Sequence, residues 1–179
     1  GGDFVARFTV DSRPEIGSQS GGLAYVDING NRVFDPNSGD ASNRDLVFTV
    51  GQSTDAIFAG DFAEPSATTS NGFDKLGAYG RANGSYRFLL DFDGGGVATT
   101  TVVSNIQVNA FPVAGDFAPE HPGDSAPGHP GDEIGLFDGT RWHLDTTGDF
   151  QLNTTIASNQ RGRPFVGDFN GDGETDLGT

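Results

Sequence analysis

The chain has 179 residues and a mass of 18.7 kDa, enough for one domain with its own hydrophobic core. Its 25 Asp and Glu residues outnumber its 10 Lys and Arg residues, and the resulting net charge of −15 argues against nucleic acid or an anionic membrane surface as a partner. The absence of Cys excludes disulfides and thiolate metal sites, and no apolar stretch of about 20 residues predicts a membrane-spanning helix.

Glycine, proline and phenylalanine are present in proportions that are typical of a β-protein. The chain has 28 Gly, 9 Pro and 15 Phe residues. Gly and Pro favour tight turns, whereas Phe, Val, Thr and Ile fit pleated, half-buried strands. We therefore predict an all-β fold that is built from many short strands.

A sequence repeat runs along the whole chain, and each copy begins with the tripeptide Gly-Asp-Phe. The tripeptide occurs at 2–4, 60–62, 115–117 and 167–169. An acid or Lys, then Ile or Leu, then Gly follows each copy, at 15–17, 75–77, 133–135 and 176–178. An aromatic-rich stretch that ends in Asp and a glycine turn comes third, at 23–31, 86–94 and 141–149, and a β-branched or apolar run follows it.

Each full repeat predicts four short strands in one sheet. We interpret 1–179 as a single repeat domain, with repeats at approximately 1–57, 58–111 and 112–163 and a partial repeat at 164–179. Tandem four-stranded blades are typical of a β-propeller or of an open, propeller-like array, here of about three blades plus a stub. The segments 63–73 and 118–132 are insertions at the same point of two repeats, and we expect them in surface loops.

The small number of repeats has a consequence for assembly. An unclosed ring leaves strand edges unpaired, and exposed edges invite pairing with another chain. Two interpretations stay open: the sequence is part of a longer protein, or neighbouring subunits complete its ends in a head-to-tail array.

The last repeat contains the most complete candidate metal site. Asp168, Asn170, Asp172 and Asp176 stand at positions 1, 3, 5 and 9 of a nine-residue loop, with Glu174 at position 7. Alternate side chains of a tight loop can point to one centre, and the backbone carbonyl of Glu174 can complete the ring of roughly six to eight oxygens that Ca²⁺ prefers. The pattern is not an EF-hand, because position 12 is not Glu and no helices are predicted beside the loop.

A second candidate loop lies in the first repeat, where Asp27, Asn29, Asn31 and Asp35 occupy the same four positions. Its two amides lower the charge, so we expect weaker affinity for Ca²⁺. Both loops have another interpretation, in which Asp, Asn and Gly form turns by hydrogen-bonding their own backbone without an ion. We expect metal-free turns where fewer acids are kept, at 91–99, at 145–153, and at Asp3, Asp61 and Asp116.

Histidine and aromatic residues give weaker signals. His121 and His129 lie in Pro-Gly loops, and strand alternation predicts that His143 is exposed. The sequence alignment places Trp142, Tyr86 and Tyr25 at one repeat position, where they can form the core or stack on a sugar. No G-x-S-x-G segment or other nucleophile–base arrangement is identifiable, which argues against a hydrolase.

Two stretches carry a resemblance to a known family: PFVGDFNGDGETDLG at 164–178 and DEIGLFDGTRWHLDTTGD at 132–149. With these residues the chain resembles the FG-GAP and VCBS-like surface repeats, which are related to the repeats of integrin α-chain propellers. The resemblance covers nearly the whole chain and is closest in its last third. It implies a propeller or propeller-like blade array, an extracellular setting, Ca²⁺ in hairpin loops, and a role in adhesion or surface architecture. The chain departs from the family pattern in its few blades and in the first three loops, which lack most of the second and third acids.

We therefore expect a non-enzymatic, extracellular or cell-surface module with a structural or adhesive role and Ca²⁺-stabilised loops. The expected partner is a protein, either another copy of this chain or a surface or matrix protein. A carbohydrate-binding propeller, with a glycan as the partner, is the second hypothesis, and a hydrolase domain is the third. We expect no nucleic-acid partner and no membrane span.

Overall fold

The structure is a computed structural model that describes residues 16–37, 39–40, 44–117, 130–172 and 174–179. The first Gly-Asp-Phe, Glu15, and His121 and His129 in the second insertion lie outside these residues. The described residues form strands, turns and bends, with no helix among them. It follows that this part of the chain has no helix of the length and apolarity needed to cross a membrane.

Within the described residues, thirteen strands form four antiparallel sheets, and neighbours in each sheet are neighbours in the chain. The first sheet contains β1 (Ile16–Ser20), β2 (Leu23–Asp27) and β3 (Leu46–Thr49). The second contains β4 (Ala56–Gly60), β5 (Lys75–Ala82), β6 (Ser85–Leu90) and β7 (Thr100–Val103). The third contains β8 (Phe111–Gly115), β9 (Glu133–Phe137), β10 (Arg141–Leu144) and β11 (Thr154–Ala157). The fourth contains β12 (Phe165–Gly167) and β13 (Asp176–Gly178).

The prediction of an all-β fold with four-stranded blades is confirmed, because the second and third sheets each have four antiparallel strands. Two-residue turns set the register of two hairpins. Gly21 and Gly22 join β1 to β2 with φ of 65° and 84°, and Asn83 and Gly84 join β5 to β6 with φ of 50° and 89°. Positive φ at both central positions matches the right-handed twist of the strands, and Asn-Gly and Gly-Gly adopt it readily. The described residues show blades but not a closed ring of them.

Consecutive sheets pack face to face through three hydrophobic clusters. Ala24 and Val50 of the first sheet meet Ala78 of the second. The second junction buries a larger aromatic cluster against the third sheet, and the third junction joins the third sheet to Val166 and Leu177 of the fourth. Because neighbours cover both faces of the middle sheets, all five residues of β9 are buried.

The Gly-Asp-Phe tripeptide lies at these junctions, which explains two of its three residues. A Cβ on Gly60 would lie 2.5 Å from Ala114 Cβ of the next sheet, and one on Gly115 would lie 2.6 Å from Thr175 Cγ2. The glycine therefore permits the close approach of the following sheet. The phenylalanine fills the junction: Phe62 is fully buried and Phe117 is 9 % exposed.

A buried ion pair ties β6 to the turn that precedes β4. Both Arg87 Nη atoms contact Asp55, at 3.2 and 2.7 Å, and Arg87 Nη1 also donates to the Gly80 carbonyl at 2.9 Å. Asp55 accepts the Gln52 N–H as well, at 2.7 Å. The Asp55 side chain is fully buried, so these hydrogen-bond donors replace the water that would otherwise stabilise its negative charge.

Candidate cation-binding loops

The acids of the described residues are concentrated at one end of the sheets. In an antiparallel meander alternate loops lie at the same end. One end therefore carries the loops after the first and third strands of the second and third sheets, after β12, and after β2, because β1, β2 and β3 correspond in the repeat to the second, third and fourth strands of the other sheets. Among the described residues, every acid except Asp55 and Asp138 lies at this end, which we call the acidic end. The described cations of the opposite end are Arg81, Arg87, Arg141, Arg161 and Arg163. Both predicted calcium loops lie at the acidic end.

The loop at 168–176 is curled by its own side-chain oxygens. The N–H of Asp172 donates to Asp168 Oδ1 at 3.2 Å and to Asn170 Oδ1 at 2.9 Å. The oxygens of positions 1 and 3 therefore converge on one nitrogen. Asp172 Oδ1 in turn accepts the N–H of Glu174 at 2.9 Å, which orients the peptide at position 7.

The loop at 27–35 has the same three hydrogen bonds at the equivalent positions. The N–H of Asn31 donates to Asp27 Oδ1 at 3.1 Å and to Asn29 Oδ1 at 2.9 Å, and Asn31 Oδ1 accepts the N–H of Val33 at 2.6 Å. Two loops that were selected by the spacing of their ligands thus share three equivalent hydrogen bonds, although one follows β12, the first strand of its sheet, and the other follows β2, the second strand of its sheet.

Position 9 differs between the two loops. In the fourth sheet Asp176 Oδ2 accepts the N–H of Phe169 at 2.9 Å, and in the third sheet Glu133 Oε2 accepts the N–H of Phe117 at 2.9 Å. In the first sheet, the side-chain amide of Asn29 contacts Asp35 Oδ1 at 3.4 Å instead.

The structure adds Asp45 to the loop of the first sheet. Asp45 is 2 % exposed, accepts the N–H of Asp35 at 2.8 Å and contacts the side-chain amide of Asn29 at 3.3 Å. Sequence reasoning missed this residue, because the nine-residue spacing ends at Asp35. Its position directly before the apolar run of β3 is the only local signal for it.

The third strands of the second and third sheets end in equivalent turns, each closed by a buried carboxylate. Asp91 accepts the N–H groups of Gly94 and Gly96, both at 2.9 Å. Asp145 accepts the N–H of Phe150 at 2.6 Å and those of Thr147 and Gly148. Burial raises the pKa of Asp145 above its ordinary value, although these hydrogen bonds oppose the rise. The predicted turns are therefore present at both places.

The donor chemistry of the two candidate loops fits a hard cation, since carboxylate, amide and peptide oxygens are the ligands that Ca²⁺ prefers. In the described part of the chain, however, no three Asp, Glu or His side chains come together as a group that could hold a metal ion. Instead the carboxylates of both loops accept backbone N–H groups. The shared curl fixes positions 1, 3 and 5, and amide and peptide oxygens would have to supply the remaining ligands.

The aromatic residues differ from the prediction. Counted back from Asp145, Asp91 and Asp27, at the ends of β10, β6 and β2, Trp142 corresponds to Phe88 and Ala24, so its predicted equivalence with Tyr86 and Tyr25 is wrong. Trp142 is 2 % exposed and packs against Phe137 in the core, where it cannot stack on a sugar.

Tyr25 follows Ala24 in β2, and because Ala24 packs against the second sheet, strand alternation places the Tyr25 side chain on the opposite face. Its ring meets Phe34 edge-on, with centroids 5.3 Å apart, beside a cleft of about 270 Å³ that Ser18, Asp27 and Arg32 also line.

His143 is 7 % exposed, so the prediction that it is exposed is wrong. Neighbouring sheets cover both faces of the third sheet, so neither set of alternating side chains in its strands is exposed to solvent. Its Nδ1 lies 3.1 Å from Thr155 Oγ1, its cross-strand partner, and its Nε2 lies 3.2 Å from Asp138 Oδ2. Burial alone would raise the pKa of Asp138, but hydrogen bonds from Thr140, Arg141 and His143 outweigh it and lower the pKa to about 2. Strand pairing and turn formation explain this arrangement without catalysis.

Comparison of the chain with protein-family models, with curated proteins and with solved structures finds no match.

Proposed function

We propose that this chain is a non-enzymatic, extracellular structural or adhesive module of the FG-GAP/VCBS-like type, whose loops bind Ca²⁺ and whose end sheets bind neighbouring subunits. The observation that carries the proposal is the hydrogen-bonding pattern that the two candidate loops share. Two segments with the same ligand spacing have the same hydrogen bonds at positions 1, 3, 5 and 7.

The proposed role of Ca²⁺ is to brace the acidic end. Asp168, Asn170, Asp172 and Asp176 would hold the ion by their side chains, and Glu174 by its carbonyl. The weaker site would use Asp27, Asn29, Asn31 and Asp35. A divalent ion at either place would offset the repulsion between neighbouring carboxylates, which is largest at this end of the molecule.

The repeat itself supports assembly through the end sheets. Phe169 is equivalent to Phe62 and Phe117, which are buried by the next sheet, but Phe169 is 64 % exposed. Its ring lies 5.5 Å from that of Phe165, another exposed residue of the fourth sheet. A further unit of the same repeat would cover both rings, as the third and fourth sheets cover Phe62 and Phe117. The proposed partner of this face is therefore another unit of the same repeat, which either a longer chain or a neighbouring subunit would supply.

Chelation of Ca²⁺ tests the proposal. Because an ion that binds only the folded state stabilises it by mass action, we expect the chelator to lower Tm by about 5–10 °C and added Ca²⁺ to restore it. Asp172→Ala should remove the part of this response that comes from the loop of the fourth sheet. Asp93→Ala is the matched control, since Asp93 also caps an exposed turn, through the N–H of Gly95, but lies outside both candidate loops. A chelator-insensitive wild-type Tm would refute the calcium part of the proposal.

Carbohydrate binding is the second candidate function, and the cleft beside Tyr25 and Phe34 favours it. An aromatic ring next to Asp27 and Arg32 offers both a stacking surface and hydrogen-bonding groups for a sugar. Tyr25→Ala should abolish glycan binding if this function is correct. A Trp142→Ala variant would not test it, because Trp142 is a core residue.

Enzymatic turnover would contradict the non-enzymatic part of the proposal. The arrangement to test is Thr155 with His143 and Asp138. Hydrolysis of an ester or glycan that Thr155→Val abolishes, without loss of stability, would assign this group a catalytic role. We expect no such activity from wild type or from Thr155→Val.

A further inference from the structure

The ammonium group of Lys75 is buried among oxygens at the acidic end. The Lys75 side chain is 4 % exposed. Its Nζ lies 2.8 Å from Asp61 Oδ1, 2.8 Å from Asn71 Oδ1 and 3.1 Å from the Phe73 carbonyl oxygen. Three oxygens of three different kinds, a carboxylate, an amide and a peptide carbonyl, thus surround one positive charge.

These three oxygens belong to the same loop positions as the proposed calcium ligands of the fourth sheet. Asp61 and Asp168 are both the Asp of Gly-Asp-Phe, at position 1. Counted back from the residue that begins the second strand, Asn71 corresponds to Asp172 at position 5, and Phe73 corresponds to Glu174 at position 7. The insertion at 63–73 hides this correspondence in the sequence.

The hydrogen bonds support the same alignment. Asn71 Oδ1 accepts the N–H of Phe73 at 3.1 Å, as Asp172 Oδ1 accepts the N–H of Glu174 at 2.9 Å. Lys75 itself stands at position 9, where the third and fourth repeats have Glu133 and Asp176. The second repeat therefore keeps the oxygens of positions 1, 5 and 7 and the hydrogen bond between positions 7 and 5, but replaces the acid at position 9 by a cation.

We propose that Lys75 is a tethered cation that takes the place of a bound metal ion in the second repeat, and that replacing it by an acid converts the loop of Asp61, Asn71 and Phe73 into a divalent-cation site. A monovalent ammonium held by three oxygens offsets the charge of Asp61 without any ion from solution. Whether a given repeat binds Ca²⁺ would then depend on the residue at position 9 of its loop. The inference rests on the proposed function only where it compares this loop with the proposed calcium site of the fourth sheet.

The experiment is a charge swap at position 9. In Lys75→Asp we expect Tm to fall in chelator, to recover by about 5–10 °C on addition of Ca²⁺ beyond the wild-type response, and the number of bound Ca²⁺ ions to rise by one. Lys75→Met is the matched control: it removes the charge but adds no ligand, so its loss of Tm should not recover with Ca²⁺. The reverse swap, Asp176→Lys, should make the loop of the fourth sheet insensitive to chelator.

The outcomes separate this inference from the proposed function. If the wild-type Tm does not respond to chelator or Ca²⁺, but that of Lys75→Asp does, the tethered-cation inference stands without the proposed function. If wild type responds and Lys75→Asp gains no bound ion, the inference is overturned and the proposed function stands. Failure of Lys75→Asp to fold at any Ca²⁺ concentration also overturns it, because the loop would then require an ammonium rather than a cation in general.

Discussion

Truncation of Phe62 tests whether the repeated phenylalanine holds consecutive sheets together. Its side chain is fully buried, and it belongs to the cluster that contains Ile134 and Leu136 of the next sheet. Its ring also meets that of Phe58 edge-on, with centroids 5.5 Å apart. Removing a buried phenyl group loses its transfer free energy and leaves a cavity, so Phe62→Ala should lower the free energy of unfolding by about 3–5 kcal/mol.

Phe169→Ala is the control at the equivalent repeat position. Because 64 % of Phe169 is exposed, little transfer free energy is lost, and its contact with Phe165 contributes about 0.5–1.5 kcal/mol at most. Urea denaturation of the two variants, followed by intrinsic fluorescence of Trp142, measures the difference. Equal losses in the two variants would refute the assignment of Phe62 to a packed junction and of Phe169 to an open one.

Three further predictions concern charge and close packing. Arg87→Met should cost about 3–5 kcal/mol in chemical denaturation, because it strands the buried Asp55, and much of this loss should vanish if Asp55 is replaced by Leu as well. Gly115→Ala should cost about 1–3 kcal/mol, whereas Gly39→Ala, which meets no atom within 4 Å, should change stability by less than about 0.5 kcal/mol. Asp138 has a folded-state pKa of about 2, below the ordinary 3.8, so its stabilisation is present above about pH 4 and is lost as the pH falls towards 2. Asp138→Asn should therefore be less stable than wild type at pH 6, and this difference should shrink as the pH falls through about 2; a stability difference that does not change with pH would contradict this.

The strands were predictable because their signals are local. β-branched and aromatic runs alternate with Gly and Asn turns, and the turn at 83–84 has the positive φ angles that its Asn-Gly sequence favours. The repeat also predicts which residues recur at each junction. The repeat does not predict that neighbouring sheets cover both faces of the third sheet, and for that reason the exposure of His143 was predicted wrongly.

The candidate loops were predictable only as far as their residues are contiguous. The spacing of Asp27, Asn29 and Asn31 is enough to specify the N–H pattern, because each oxygen bonds to an amide that is at most a few residues away. Asp45 reaches the same loop from ten residues beyond Asp35, and Lys75 reaches Asp61 across an insertion. Contacts of this kind form only where a later segment of the chain folds back against the loop, and the spacing of the ligands within the loop does not predict this.

Direct titration of chelator-treated protein with Ca²⁺, by calorimetry, tests most directly whether the oxygen-rich loops are cation sites. We predict saturable binding at or below about millimolar Ca²⁺, the range of extracellular modules, and its loss from the loop of the fourth sheet in Asp168→Ala. No heat of binding at millimolar Ca²⁺, or the same isotherm for wild type and Asp168→Ala, would contradict it.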